Sequence, residues 1–492
     1  MERLKGVDAS FLYMETRDMH MHTVGTVVID PATMPGGYAF AKIKELLASR
    51  LHLMAPFRRR LVMVPFDLAH PVWIEDPDFD LEFHVHRRGL PQPGTMHELA
   101  ELVGDFASRP LDRSRPLWQM WVVEGLEDGL VALVTKIHHS CIDGVSGADL
   151  MAHLFDLEPE PPEIELPPAV PSEQPPSDVK LIAGALGSVV TQPFSLARTM
   201  VRTGRGLISA VQSQRNRPEG APPATLPFTA PNTPWNGAIT PHRAVAFSSC
   251  SLEDMKLVKR VFGTTVNDVV LAACTMSLRR WLQAHDALPD RPLVASIPVS
   301  VHTADNKTDP NQISTMFVSL PVQLSDPVEQ LVAIRENTKG AKELHHAMGA
   351  DLIMGLTQST PPQLLNLASR LYSQMNLASR HRPAHNLVVS NVPGPPIPLY
   401  CGGARVVSVY PMGPILEGAG LNLTVLSNMG NVDFGAIACR EMVPDLWDIA
   451  DGFAEAVTEL RKSAAEQETA KAKPSGRAKT SPTQPQATAG EQ

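Results

Sequence analysis

The sequence predicts a mixed α/β fold in more than one domain, and three observations carry that expectation. Short apolar strands, such as Met21 to Ile29 and Leu130 to Ile137, are mixed with helical stretches such as Tyr38 to Leu51. Two proline-rich passages, Glu158 to Asp178 and Pro218 to Pro234, break the apolar pattern. By length alone, 492 residues fill about two to three domains.

In the first domain, residues 1–157, the decisive stretch ends in His138-His139-Ser140-Cys141-Ile142-Asp143-Gly144. Ahead of it, Val131, Leu133, Thr135, Ile137 and His139 share one face of a strand, and Ala132, Val134, Lys136 and His138 share the other. The two imidazoles therefore point opposite ways, which argues against a shared metal. One can face a reaction channel while the other is held inside the domain. His139 is the preferred base because its face is the more apolar. Histidine suits proton transfer because its unperturbed pKa of about 6.5 lets the neutral ring take a proton near neutral pH and return it. Asp143 and Gly144 read as a tight turn, glycine supplying a backbone geometry other residues resist. Ser146 then caps a helix carrying Leu150, Met151, Leu154 and Phe155.

Residues 158–240 read as a linker. Its acidic, proline-rich start should be extended, because proline fixes φ and withholds a donor. Val179 to Gln214 is apolar with Arg198, Arg202 and Arg205 interspersed. Two readings stand: an amphipathic helix lying on a lipid surface, or a helix bridging two domains. In the second domain, 241–465, Thr265-x-x-Asp268 starts a helix with Val270, Cys274, Leu278 and Trp281 on one face. Asn267 lies in its first turn, where an amide can meet substrate or a developing oxyanion with help from the helix dipole. Leu387 to Val389 is a strand running into Ser390-Asn391-Val392-Pro393-Gly394-Pro395, either a tunnel mouth or a plain turn. Asn422 and Thr424 are polar candidates within the apolar run Leu421 to Leu426; Asn428 to Asn431 reads as a hairpin turn and Val432 to Gly435 as the returning strand. Residues 466–492 read as a disordered tail.

Net charge −9 and a pI near 6.0 exclude a typical nucleic-acid partner, which needs cations against phosphate. Five cysteines without a C-x-x-C pair suit a reducing compartment. The N-terminus has no signal-like apolar core, and no run reaches the ~18 apolar residues of a spanning helix. The expectation is a cytoplasmic chain, with peripheral attachment at the inner membrane or lipid inclusions open to it.

H-H-x-x-x-D-G, together with Val7 to Glu15 (VDASFLYME), Pro116-Leu117-Trp118, Asn267-Asp268 within TVNDVVLA and SNVPGP, resembles the wax ester synthase/diacylglycerol acyltransferases, within the coenzyme A-dependent acyltransferase superfamily. The resemblance spans about the first residues to Leu460, apart from the detail of the Pro-rich middle. It implies two chloramphenicol-acetyltransferase-like domains, with mixed sheets flanked by helices and a channel between them. It further implies a fatty acyl-coenzyme A donor, diacylglycerol or a long-chain alcohol as acceptor, and triacylglycerol or wax ester as product. His139, with His138, Asp143 and Gly144, would form the catalytic run; Asn267, Ser390, Asn391, Asn422 and Thr424 would contact substrate. No cofactor or metal is expected, acyl-coenzyme A being a substrate, and no Lys or Arg cluster can be assigned to its phosphates. Val432-Asp433-Phe434-Gly435 resembles a structural element of related acyltransferases.

Several patterns are set aside. His345-His346 ends a helical stretch and lacks the glycine; His20-x-His22 and His84-x-His86 have no third ligand at a recognisable spacing. Cys141 lies near His139, but sequence proximity does not establish a Cys–His pair. Trp118 should pack the first domain. The twenty methionines suit an adaptable tunnel or an ordinary core equally. Two rivals remain: a condensation module fed by a carrier protein, and a lipid-surface protein that has kept the fold without the chemistry.

Overall fold

The computed structural model describes residues 2–4, 6–141, 152–160, 176–183, 225–300, 313–348 and 362–472. Asp143, Gly144, Ser146, Leu150 and Met151, residues 184–224 and the end of the tail lie outside them. In chain order the elements are β1 Glu2–Arg3, α1 Gly6–Met14, β2 His22–Asp30, α2 Phe40–Arg50, β3 Arg59–Val62, β4 Val72–Glu75, β5 Val85–Gly89, α3 Met96–Ala107, β6 Trp118–Glu124 and β7 Val131–His138. The second half supplies β8 Arg243–Ser251, α4 Leu252–Phe262, α5 Val266–Ala284, β9 Leu293–Ser300, β10 Ile313–Leu320, α6 Pro327–Met348, α7 Pro362–Gln374, β11 Leu387–Val392, β12 Tyr400–Cys401, β13 Ala404–Met412, β14 Leu421–Asn428, β15 Asn431–Cys439 and α8 Leu446–Ala472.

Among the described residues these strands make two six-stranded mixed sheets and a small three-stranded one. The first sheet runs β12-β13-β2-β7-β6-β5, the second β10-β9-β11-β14-β15-β8. Strand β7 sits inside the first sheet because both its faces are apolar. Val131, Leu133 and Ile137 join one buried cluster, while Ala132 and Val134 join another with Trp121 and Phe106. The expected alternation of faces is therefore realised.

Strands β12 and β13 come from the second half of the chain yet complete the first sheet. Strand β13 pairs antiparallel with β2, from Arg405 opposite Asp30 to Met412 opposite Val24. Without it, β2 would present an open row of backbone donors and acceptors. The crossing is clamped by Asp433, wholly buried on β15: its carboxylate accepts from Val409 N at 2.8 Å, from Asn428 Nδ2 at 3.3 Å and from Ser249 Oγ. The expected hairpin ahead of it forms, with Met429 and Gly430 at positive φ in a two-residue turn.

Helix α5 begins with the expected capping box: Asp268 N donates to Thr265 Oγ1 at 3.2 Å and Thr265 N to Asp268 Oδ2 at 2.8 Å. Its burial is wider than the single apolar face expected from sequence, and includes Val269, Leu271, Ala272, Ala273, Met276 and Ser277. Sheet, α6 and α8 enclose it. Ser277 Oγ donates to Ile449 O at 2.6 Å, and a Cβ on Gly452 would come within 2.8 Å of that hydroxyl. Asp268 also accepts from Thr338 Oγ1 of α6 at 2.8 Å, so this cap ties two helices together.

Candidate active site

The two histidines end β7 because their backbones bond to different neighbours. His138 N donates to Leu117 O at 2.9 Å and His139 N to Met21 O at 2.8 Å. The chain then enters a 3-10 turn, His139–Cys141, that lifts His139 out of the sheet.

His138 is buried, and its environment selects one tautomer. Ser140 N, an obligate donor, points at His138 Nδ1 at 3.1 Å, and Ser140 Oγ lies 2.7 Å from the same nitrogen. Nδ1 is thus the acceptor, and the proton of the neutral ring resides on Nε2. That nitrogen faces Glu15 Oε2 at 3.6 Å. Burial acts to raise the Glu15 pKa, but His138 and the Arg113 guanidinium outweigh it and hold the carboxyl down at about 2. Arg113 Nε donates to Glu15 at 3.1 Å and its Nη2 to Leu12 O at 2.9 Å, so the ion pair also holds the end of α1.

His139 is the partly exposed member of the pair. Its ring stacks on Phe11 of α1, with centroids 4.1 Å apart and planes 29° apart. Burial against this wall, followed by the neighbouring His138, lowers its pKa to about 4. The imidazole is therefore neutral throughout the physiological range and can accept a proton. Cys141 behaves oppositely: burial pushes its thiol up to about 12, which leaves it protonated and a poor nucleophile. A small open cleft of about 60 Å³ adjoins Ser140 and Cys141, lined also by Leu4, Pro56, Arg59 and Trp73.

Behind the pair lies a polar layer. Lys136 Nζ donates to Phe106 O and Arg109 O at 3.0 Å each, while His22 Nε2 meets Ala107 O at 3.0 Å and His20 Nε2 meets Ser108 O at 3.1 Å. Four successive carbonyls, the last two of α3 and the two that follow it, are thereby satisfied, as a buried helix end requires. His20 and His22 thus each have a backbone partner through Nε2. His84 Nδ1 likewise meets Trp118 O at 2.8 Å. Trp118 is core, its indole donating to Phe57 O at 2.9 Å.

Residues 4–270 match the model of the wax ester synthase/diacylglycerol acyltransferase catalytic domain, and 310–461 that of the C-terminal domain of the same family. The chain belongs to this family. A Mycobacterium tuberculosis H37Rv protein assigned by name to the diacylglycerol O-acyltransferases is 40% identical over 94% of this chain and 90% of its own. The solved wax ester synthase/diacylglycerol acyltransferase from Marinobacter aquaeolei VT8 is 30% identical, with a TM-score of 0.67 over 94% of this chain and all of that one. The first condensation domain of the calcium-dependent antibiotic synthetase shares the fold, with a TM-score of 0.52 at 15% identity over 95% of this chain and 96% of that one.

In this acyltransferase the five polar residues expected from sequence to meet substrate fall into two groups. Asn267 and Asn391 come together, Asn391 Nδ2 donating to Asn267 Oδ1 at 3.3 Å at the N-terminus of α5. That bond engages the Asn267 amide oxygen, so Nδ2 is the donor of that amide. Ser390, Asn422 and Thr424 occupy the opposite face of the same sheet, turned toward the first sheet. Ser390 lies beside Thr424 in register, Thr424 Oγ1 donates to Asn422 Oδ1 at 2.8 Å, and Asn422 Nδ2 to Pro414 O at 3.1 Å. Among the described residues no hydrogen bond joins His139 to either group. The SNVPGP turn approaches β14 closely: a Cβ on Gly394 would lie 2.0 Å from Ser427 O. The catalytic-run positions Asp143 and Gly144 lie outside the described residues.

No role for Phe11, Glu15, Arg113 or Ser140 is legible in the sequence. Phe11 and Glu15 lie in the VDASFLYME run, but their contacts with the histidines cross more than a hundred residues of chain.

Proposed function

We propose that this acyltransferase moves a long-chain fatty acyl group from acyl-coenzyme A to diacylglycerol, giving triacylglycerol, and also accepts long-chain alcohols, giving wax esters. His139 is the general base, and the observation that carries the reading is its neutral, partly exposed imidazole on Phe11, beside a His138 already committed to Ser140 and Glu15. The acceptor hydroxyl gives its proton to His139 as its oxygen bonds to the thioester carbonyl carbon. The carbonyl π electrons move to oxygen, and the resulting oxyanion needs a preorganised donor, for which Asn267 Nδ2 is the candidate. Collapse re-forms the carbonyl and breaks the C–S bond. The imidazolium returns the proton to the departing thiolate, a far better leaving group than an alkoxide. No cofactor or acyl-enzyme is required by these steps. A resting pKa near 4 makes His139 a weak base alone, but the oxyanion formed beside it favours the imidazolium as the reaction proceeds.

The test is to incubate wild type and a folded His139→Ala variant with labelled palmitoyl-coenzyme A plus diacylglycerol or hexadecanol, following lipid product and free coenzyme A. The variant should lose about 10²–10⁴-fold in kcat/KM, and the better acceptor in wild type identifies the preferred substrate. Equal product from both enzymes rejects the base; no product from wild type rejects the substrates.

A further inference from the structure

We propose that α7 is the surface by which this protein docks on an anionic lipid layer. The proposal rests on the lipid-acceptor reading above and extends it to the place where lipid is met. Leu364, Leu367 and Leu371 recur at helical spacing on one side of this element and Met375 follows directly after its last residue; they are 53%, 55%, 43% and 49% exposed. The opposite side anchors the helix: Leu365 packs into the first-sheet core, and Ser373 Oγ donates to Glu417 at 2.7 Å. The leucine row is thus an outward face of a well-seated helix.

An exposed phenylalanine marks each end of the row. Phe66 is 82% exposed, and its carbonyl accepts from Gln363 Nε2 at 2.9 Å. Phe228 is 61% exposed and meets the His381 ring edge-on at 6.3 Å. Both hold positive φ, 60° and 64°, a conformation that costs a bulky residue energy and here leaves an apolar ring outside.

Charge identifies the occupant. Although the chain carries a net −9, it has no aspartate or glutamate between Asp351 and Glu417, while Arg370, Arg380 and Arg382 are exposed on and just after α7. An apolar row flanked along the chain only by cations matches a layer with acyl chains beneath and negative head groups above. Two neighbours give the surface its purpose. Helix α7 packs on α1, which carries the Phe11 wall of His139. Leu181 packs with Val64, Ala69 and Val72 around the Phe66 loop, which joins that loop to the described end of residues 176–183.

Flotation of the full-length protein with phosphatidylcholine vesicles, with and without phosphatidylglycerol, tests the proposal. Wild type should float with the anionic vesicles, Leu367→Gln/Leu371→Gln should lose about tenfold in partition, and Arg370→Gln/Arg380→Gln/Arg382→Gln should lose affinity on anionic vesicles alone. Both variants should keep wild-type turnover of a short, water-soluble acyl-coenzyme A and alcohol while slowing on vesicle-embedded diacylglycerol. Unchanged flotation of the leucine variant overturns the assignment and points to residues 184–224. A wild type that does not float but forms dimers lost in the leucine variant also overturns it, making the row a contact between copies. Absence of soluble turnover in wild type counts against the acyl-transfer reading alone, since flotation is read independently.

Discussion

His139 owes its neutral state first to burial and then to the neighbouring His138. Phe11, stacked 4.1 Å away, is one wall of that burial, and together these hold the pKa down at about 4. Phe11→Ala should admit water and let the pKa climb toward its ordinary value of about 6.5. Because the proposed base works only when neutral, the acid limb of kcat/KM should then move upward in pH, and the variant should lose rate between about pH 4 and 6.5, where wild type is still unprotonated. A pH–rate profile checks this; coincident acid limbs would show that Phe11 does not set the base. His138 is held by other contacts: its Nδ1 is occupied by Ser140 and its other nitrogen faces Glu15.

At the scale of elements, the segment after the histidine run is held by a buried ion pair. Arg50, 3% exposed at the end of α2, donates through Nη2 to both oxygens of Asp156 and through Nη1 to Leu154 O at 3.1 Å. Removing one partner strands a buried charge, so Arg50→Ala should cost about 3–5 kcal/mol in chemical denaturation. Arg50→Lys should recover only part of that, since an ammonium cannot reproduce the two-pronged contact. If Arg50→Ala unfolds at the wild-type midpoint, the pair contributes nothing. Capping at α5 was legible from Thr265 and Asp268 because it spans three residues. The reach of Asp268 to Thr338 was not, because that contact crosses seventy residues of chain.

For the whole molecule, the crossing of β12 and β13 means that the first sheet cannot be completed by the first half of the chain. A fragment of residues 1–240 should therefore aggregate or remain protease-sensitive, its β2 edge open. Co-expression with 241–492 should restore a protease-resistant complex. A fragment that gives a cooperative thermal transition alone would show that the crossing strands are dispensable. The proposed docking through α7 belongs to this scale too, because Phe66, Phe228 and the leucine row are drawn from three distant parts of the chain.

The sequence by itself determined whatever depends on near neighbours. The alternating faces of β7, the α5 cap, the Met429-Gly430 hairpin and the H-H-x-x-x-D-G run are legible because side-chain periodicity and turn chemistry act over a few residues. Only the tertiary structure decided that His138 is the enclosed ring and His139 the partly open one. It alone paired Asn267 with Asn391 while placing Ser390, Asn422 and Thr424 on the opposite face, sent β13 into the other sheet, and left the leucines of α7 outside. Those outcomes depend on which surfaces meet, and burial of apolar area joins residues without regard to their separation along the chain.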